Sequence, residues 1–163
     1  MNKLLRRGLG ILDLGGSFLG LVLGLAVFLQ HLSLLTILLE IPFLALYCWG
    51  VWCGVRTLEN HPKSLRANLW LWLIQGPFLK SYFFTYWFTS GALLFVTYAP
   101  AGGNVSFMAR VGSEFQYSFL QPQPLQVGVN LLAVAICVVL LWQWRHRRPE
   151  LNEADLNVAM EPK

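Results

Sequence analysis

The chain has 163 residues, of which 56% are hydrophobic and only 12% are charged. A soluble domain of ordinary composition carries about 25% charged residues, so this composition argues against a soluble globule. Four apolar segments of about 20 residues each would use about half of the chain and leave too little for a separate soluble enzyme domain. The net charge of +4 suits a nucleic-acid-binding protein only if the basic residues are grouped for that purpose.

Four apolar stretches predict four membrane-spanning helices. They cover residues 9–29, 34–55, 69–98 and 127–144. The third would be about 45 Å long as one helix, which exceeds a bilayer core of roughly 30 Å, so we favour a break near Pro77 over a steeply tilted helix. The pattern predicts an all-α membrane protein, a four-transmembrane-helix bundle that forms one integral domain over residues 1–148.

The basic residues predict the orientation of this bundle. Ten of the twelve Lys and Arg residues precede span one, lie between spans two and three, or follow span four, and such residues stay cytoplasmic. The exceptions are Arg110 and Lys80. The flanking positions suit contact with anionic lipid and argue against a nucleic-acid partner. We predict a bacterial inner-membrane protein with both termini cytoplasmic and a mobile cytoplasmic tail over residues 149–163.

Between spans three and four, residues 104–120 alternate between apolar and polar side chains, which is typical of strands. The apolar positions are Val105, Phe107, Ala109 and Val111, followed by Phe115, Tyr117 and Phe119. A three-residue loop at residues 112–114 would place Val111 opposite Phe115 and all of these side chains on one face. We predict a small extracytoplasmic β-hairpin, which is either a lid for its own bundle or a surface that binds a partner.

Charged residues at membrane depth are costly to bury and are usually functional. The predicted spans contain three of them, Asp13, Glu40 and Lys80. If span three breaks at Pro77, Lys80 snorkels or meets Asp13, and if the span is unbroken Lys80 reaches Glu40. Asn130, near the outer end of span four, is a candidate to join Glu40 in a polar cluster. A structural network and a functional role both remain open for these residues.

Glycine and proline mark two further features of the spans. Gly16, Gly20 and Gly24 recur every fourth residue, so they form a small-residue stripe of the glycine-zipper type on one face of span one, which Asp13 shares. This glycine stripe predicts close approach of another helix, from the same chain or from a partner. Pro42, two residues after Glu40, interrupts the hydrogen-bond ladder of span two.

No motif of familiar catalysis occurs in the chain, neither a phosphate-binding loop nor a zincin, nucleophile-elbow or dinucleotide motif. We therefore predict no catalytic residues, no metal site and no cofactor, and a non-enzymatic accessory or assembly subunit. Its partners would be the lipid bilayer and another membrane protein or a second copy. The alternative is a transporter, channel or lipid-handling protein that uses Glu40 with Asp13 or Lys80. A lipid-directed enzyme with Glu40 or Asp13 as acid or base is a weaker third reading.

Overall fold

Four helices and six strands make up the part of the chain that the computed structural model describes, residues 3–30 and 34–159. For residues 35, 36 and 147–159 only the backbone is described. The helices are α1 (Lys3–Gln30), α2 (Leu34–Leu58), α3 (Ser64–Ile74) and α4 (Leu131–Ala159). The strands are β1 (Pro77–Lys80), β2 (Phe84–Thr89), β3 (Ala92–Ala99), β4 (Asn104–Val111), β5 (Glu114–Phe119) and β6 (Gln126–Asn130). The side chains of the predicted tail, 149–163, lie outside the described part.

The predicted all-α four-helix bundle is wrong. Helix α3 ends at Ile74, and the rest of the predicted third span forms β1, β2 and β3. The start of the predicted fourth span belongs to β6. Residues 78–99 are rich in aromatic and β-branched side chains, which favour strands. Because these strands are apolar on both faces, their sequence reads as one continuous apolar run, and hydropathy alone does not separate it from a helix.

Two helices among the described residues are long and apolar enough to cross a membrane, Lys3–Gln30 and Ile37–Leu58. The apolar part of α4, Leu131–His146, is shorter. Signal sequences and core helices of soluble proteins reach the same length and apolar composition. The number of membrane-like helices is therefore two, against the four spans of the prediction.

The six strands form one antiparallel sheet in the order β4-β3-β6-β1-β2-β5. Strands β2 and β3 are consecutive in the chain, and so are β4 and β5. The pairing of β2 with β5 has the same register as the pairing of β3 with β4. Thr89 faces Glu114 before the junction, and Ala92 faces Val111 after it. Residues 84–119 are therefore a long two-stranded ribbon, bent sharply in the middle, whose two halves flank β1 and β6.

Two glycines form the bend of this ribbon. The Gly112 amide donates to the Gly91 carbonyl oxygen over 2.8 Å, which keeps the two chains paired through the bend. Gly91 has φ of 94° and Gly112 has φ of 137°, a region that residues with a Cβ rarely adopt. The bend brings the two edge strands together at one point, where Arg110 of β4 and Glu114 of β5 form an ion pair with an N–O distance of 3.4 Å.

The predicted hairpin over residues 104–120 is therefore wrong, although strands do form in this segment. β4 and β5 lie at opposite edges of the sheet, so that Val111 faces Ala92 and Phe115 faces Phe88. The expected pairing of Val111 with Phe115 does not occur. Residues 112–113 bend the ribbon without reversing it. Strands β4 and β5 do not pair with each other, because they pair with β3 and β2, which lie in the segment predicted to be a helix.

One half of the sheet packs against α2 through aromatic side chains. The Phe43 and Phe115 rings lie 4.9 Å apart between centroids, and Tyr47 and Phe88 are also 4.9 Å apart. A second cluster joins α1, α3 and α4 around the fully buried Trp72. The sheet therefore lies beside the α1–α2 pair. Its strand β1 begins shortly after the end of α3, and its strand β6 ends where α4 begins.

The glycine stripe of α1 is filled by other parts of the same chain. A Cβ at Gly16 would lie 2.2 Å from the Gly91 amide nitrogen, and a Cβ at Gly20 would lie 2.1 Å from the Tyr47 ring. A Cβ at Gly24 would lie 3.0 Å from the Leu44 side chain of α2. The helix that approaches the stripe is α2, and the bend of the sheet occupies the rest.

Hydrogen bonds hold the bend on α1. The Ser17 and Ser90 hydroxyl oxygens are 2.7 Å apart, and the Ser113 hydroxyl donates to the Gly16 carbonyl oxygen. The Ser113 hydroxyl oxygen also accepts the Gly91 amide over 3.2 Å. The bend therefore contacts α1 through both its backbone and its hydroxyl groups.

We expect Gly16→Ala to lower the free energy of unfolding by about 1–3 kcal/mol, because the added methyl group meets the backbone of the bend. Gly15→Ala is the matched control, since a Cβ at Gly15 meets nothing within 4 Å. Alanine favours the helix over glycine, so Gly15→Ala should raise stability by up to about 1 kcal/mol. Thermal unfolding of the full chain in detergent, followed by circular dichroism, measures both. Equal effects of the two substitutions would contradict the docked bend.

Candidate functional site

Asp13 is completely buried and joins α1 to α3. The Trp72 indole Nε1–H donates to Asp13 Oδ1 over 3.0 Å. Asp13 Oδ2 has no hydrogen-bond partner among the described residues. Since Trp72 belongs to the core cluster of α1, α3 and α4, this contact orients the two helices within the core.

Glu40 lines a cleft of about 340 Å³ between α1, α2 and β5. Only 2% of the Glu40 residue surface is exposed, and the Tyr117 phenol lies within hydrogen-bonding range of its carboxylate. Burial raises the pKa of Tyr117, and the charge of Glu40 and its hydrogen bond raise it further, so the phenol remains a donor. Tyr47, Ser113 and Glu114 add polar groups to the same cleft.

Lys80 lies on another surface, the inner face of the bent sheet. This face carries the side chains that point into the bend, including the stacked rings of Phe78 and Trp87. Lys80, Arg110 and Glu114 line a second cleft there, of about 330 Å³. Among the described side chains Lys80 forms no ion pair, so the structure does not join it to either carboxylate that the sequence suggested.

Asn130 is the N-cap of α4 and does not line the Glu40 cleft. Its Oδ1 accepts the backbone amides of Leu132 and Ala133 over 3.2 and 3.4 Å, which is the usual function of asparagine at this position. The same oxygen accepts the Leu94 amide over 3.1 Å. Asn130 therefore connects the start of α4 to strand β3.

Of the two prolines that were expected to break helices, Pro42 lies within a helix and Pro77 lies at the start of a strand. Pro42 lies inside α2, which continues to Leu58. Pro77 begins strand β1 opposite Val129, after α3 has ended at Ile74. The first residue of a strand is one of the few places in a sheet that tolerates proline. The chain thus changes from helix to strand at the point where a helix break was predicted.

The outer face of the sheet half formed by β3, β4 and β6 carries an exposed apolar surface, which we call the outer patch. Its large exposed members are Leu94, Tyr98, Val105, Phe107, Val111, Val127 and Val129. Phe107 is 74% exposed and Val111 is 91% exposed. No described part of the chain covers these side chains, and β4 forms the edge of the sheet next to them.

The sequence does not identify three residues that contribute to these contacts and clefts: Trp72, Glu114 and Arg110. Trp72 lies 59 positions from Asp13, and no local pattern relates the two. The alternating pattern predicts that Glu114 belongs to a loop, whereas it lines both clefts. Arg110 has one usable signal in the sequence, because it and Lys80 are the two basic residues outside the groups that are predicted to be cytoplasmic.

No protein-family model, curated protein or solved structure matches the chain. The structure offers three candidate surfaces for function: the Glu40 cleft, the inner face of the sheet and the outer patch.

Substitutions at Asp13 test its contact with Trp72. Asp13→Asn keeps an oxygen acceptor for the indole and removes an ionisable group from a buried position, so we expect stability within about 1 kcal/mol of the unaltered chain or above it. Asp13→Leu keeps the branched shape of the side chain, with larger end groups, and leaves the buried indole donor without an acceptor, which should cost at least about 1–3 kcal/mol relative to Asp13→Asn. Thermal unfolding in detergent measures the difference. Equal stability of the two variants would show that the hydrogen bond contributes nothing.

Proposed function

We propose that this chain is an integral membrane protein that acts as a non-enzymatic interaction subunit, and that strand β4 with the outer patch is its docking surface. The partner that the surface fits best is a second copy of the chain. The observation that carries the proposal is the combination of exposed apolar side chains and an unpaired strand edge in one place.

Exposure of the two long helices supports membrane insertion. Only 22% of the apolar window of Lys3–Gln30 and 33% of that of Ile37–Leu58 are buried within the chain. The core helix of a soluble protein is mostly buried, so these apolar surfaces need another apolar environment. The positive-inside distribution of Lys and Arg further suggests an inner membrane with both termini in the cytoplasm.

The free edge of β4 favours a protein partner over lipid. Lipid chains can cover Phe107 and Val111, but they cannot satisfy the amide and carbonyl groups along the unpaired side of β4. An exposed apolar edge strand readily pairs with a strand of another chain. A partner strand would supply both the missing hydrogen bonds and an apolar surface.

Two copies of β4 can pair in a self-complementary register. In an antiparallel pair with Phe107 opposite Phe107, Val105 lies opposite Ala109, and the outer patches of both copies share one face. The two-fold axis then passes through the centre of an apolar surface. This symmetry makes the second copy the partner of choice.

Cross-linking of the full chain in native membranes tests the pairing. In a background without Cys48, Cys53 and Cys137, Phe107→Cys treated with a short bifunctional maleimide should give a product of twice the monomer mass. Phe83→Cys is the control, because Phe83 is 71% exposed but lies outside the outer patch. Ala109→Asp added to Phe107→Cys should abolish the product by placing charge in the interface.

Equal cross-linking at positions 83 and 107 would indicate random collision and contradict docking through β4. A single product at position 107 with a mass other than twice that of the monomer would show that the partner is another membrane protein and not a second copy. The absence of any product at either position, with both cysteines accessible to a monofunctional maleimide, would rule out the interface.

The Glu40 cleft supports a second candidate function, binding or transfer of a proton or cation. A carboxylate that is 2% exposed on the wall of a cleft is an unusual position for an acid that only stabilises a helix. We expect Glu40→Gln in proteoliposomes to slow proton uptake driven by a potassium diffusion potential at least tenfold. Glu59→Gln, at an exposed position after α2, should leave it unchanged. Equal uptake by both variants and the unaltered chain would exclude this function.

A further inference from the structure

The bend of the sheet brings together the two basic residues that lie outside the cytoplasmic groups. Lys80 belongs to β1 and Arg110 to β4, and two strands separate them in the sheet order. Both nevertheless line the cleft of about 330 Å³ on the inner face. This convergence does not follow from positive-inside retention, which accounts for the other ten Lys and Arg residues.

Aromatic side chains form the floor of this cleft. The Phe78 and Trp87 rings stack with centroids 5.0 Å apart, and Phe95 contacts the Phe78 ring at 5.2 Å. The Trp87 indole Nε1–H is buried and has no hydrogen-bond partner among the described residues. A buried donor without an acceptor is unfavourable, and a ligand oxygen that reached the indole would remove this cost.

The cleft has a net positive charge. Arg110 is paired with Glu114 at 3.4 Å, whereas Lys80 has no ion-pair partner among the described side chains. Gln116 and Gln126 line the same cleft and add amide donors. A ligand there meets donors from several strands and one uncompensated cation.

We infer that the inner-face cleft binds a phosphate compound that has a net negative charge and an apolar body, as an anionic phospholipid does. The lysine, guanidinium, indole and amide donors suit an anion with several oxygens, and the Phe78–Trp87 floor suits the adjoining apolar part. The volume accommodates a headgroup and the start of an acyl chain. The site lies on the opposite face of the sheet from the outer patch, so it does not depend on pairing of β4.

The indole of Trp87 reports directly on this site. The full chain, labelled with 5-fluorotryptophan and held in non-ionic detergent, would be titrated while fluorine NMR is recorded. Trp87→Phe identifies the Trp87 signal among the seven tryptophans. The probes are short-chain phosphatidylglycerol, phosphatidylcholine of the same chain length, and inorganic phosphate. We expect a saturable shift of the Trp87 signal with phosphatidylglycerol and binding at least tenfold weaker with phosphatidylcholine.

Two substitutions with opposite effects distinguish recognition from disturbed folding. Lys80→Gln should weaken phosphatidylglycerol binding about tenfold, because a charged hydrogen-bond donor is lost. Glu114→Gln removes the competing carboxylate from Arg110 and should strengthen binding several-fold, which a folding defect would not do. Lys63→Gln, an exposed cation outside the cleft, is the control and should leave the affinity unchanged.

The probes also separate the two sources of a phosphate group. If inorganic phosphate shifts the Trp87 signal as strongly as phosphatidylglycerol, the phosphate site is supported and its ligand is a water-soluble phosphate compound. Absence of a shift with both probes overturns the inference. Equal binding of phosphatidylcholine and phosphatidylglycerol, equal weakening by Lys63→Gln and Lys80→Gln, or weaker binding by Glu114→Gln also overturns it.

Discussion

The contact between Gly16 of α1 and Gly91 at the bend of the sheet is the constraint on which the rest of the structure depends. The two backbones approach so closely that neither position leaves space for a side chain. Gly91 also has a positive φ, which the sharp bend of the ribbon requires. Because the bend is held there, one half of the ribbon lies against α2 and the other half lies beyond β1 and β6. Each later feature, including the clefts and the outer patch, follows from this placement.

The bend gives the two faces of the sheet different surroundings. On one side, Phe88 and Phe115 pack with α2, while no described residue covers the same side of β3, β4 and β6. On the inner side, apolar rings fill the base and charged groups line the opening. Glu114 stands where the two edges meet and contributes to both clefts. The proposed docking surface and the proposed phosphate site therefore use opposite faces of a single sheet.

Much of the error in the predicted fold came from one segment. Residues 78–99 have the length and hydropathy of a transmembrane helix, yet the buried Leu93 and Phe95 alternate with the less buried Leu94 and Val96 as in a strand. When both sets of alternating residues are bulky and apolar, a period of two has little contrast. The alternation over residues 105–111 is clearer because polar residues occupy one side. The sequence therefore indicates that residues 105–111 form a strand. It does not indicate their partner, because β3 lies in the segment predicted to be a helix.

The sequence by itself determined the apolar character of α1 and α2, the single face shared by Gly16, Gly20 and Gly24, and the end of a helix shortly before Pro77. These properties depend on residues within a few turns of one another. The tertiary structure alone decided that Asp13 meets Trp72, that Lys80 and Arg110 share a cleft, and that Asn130 accepts the Leu94 amide. Such contacts join residues that are distant in the chain, and they depend on strand register and on the bend, which local patterns do not encode.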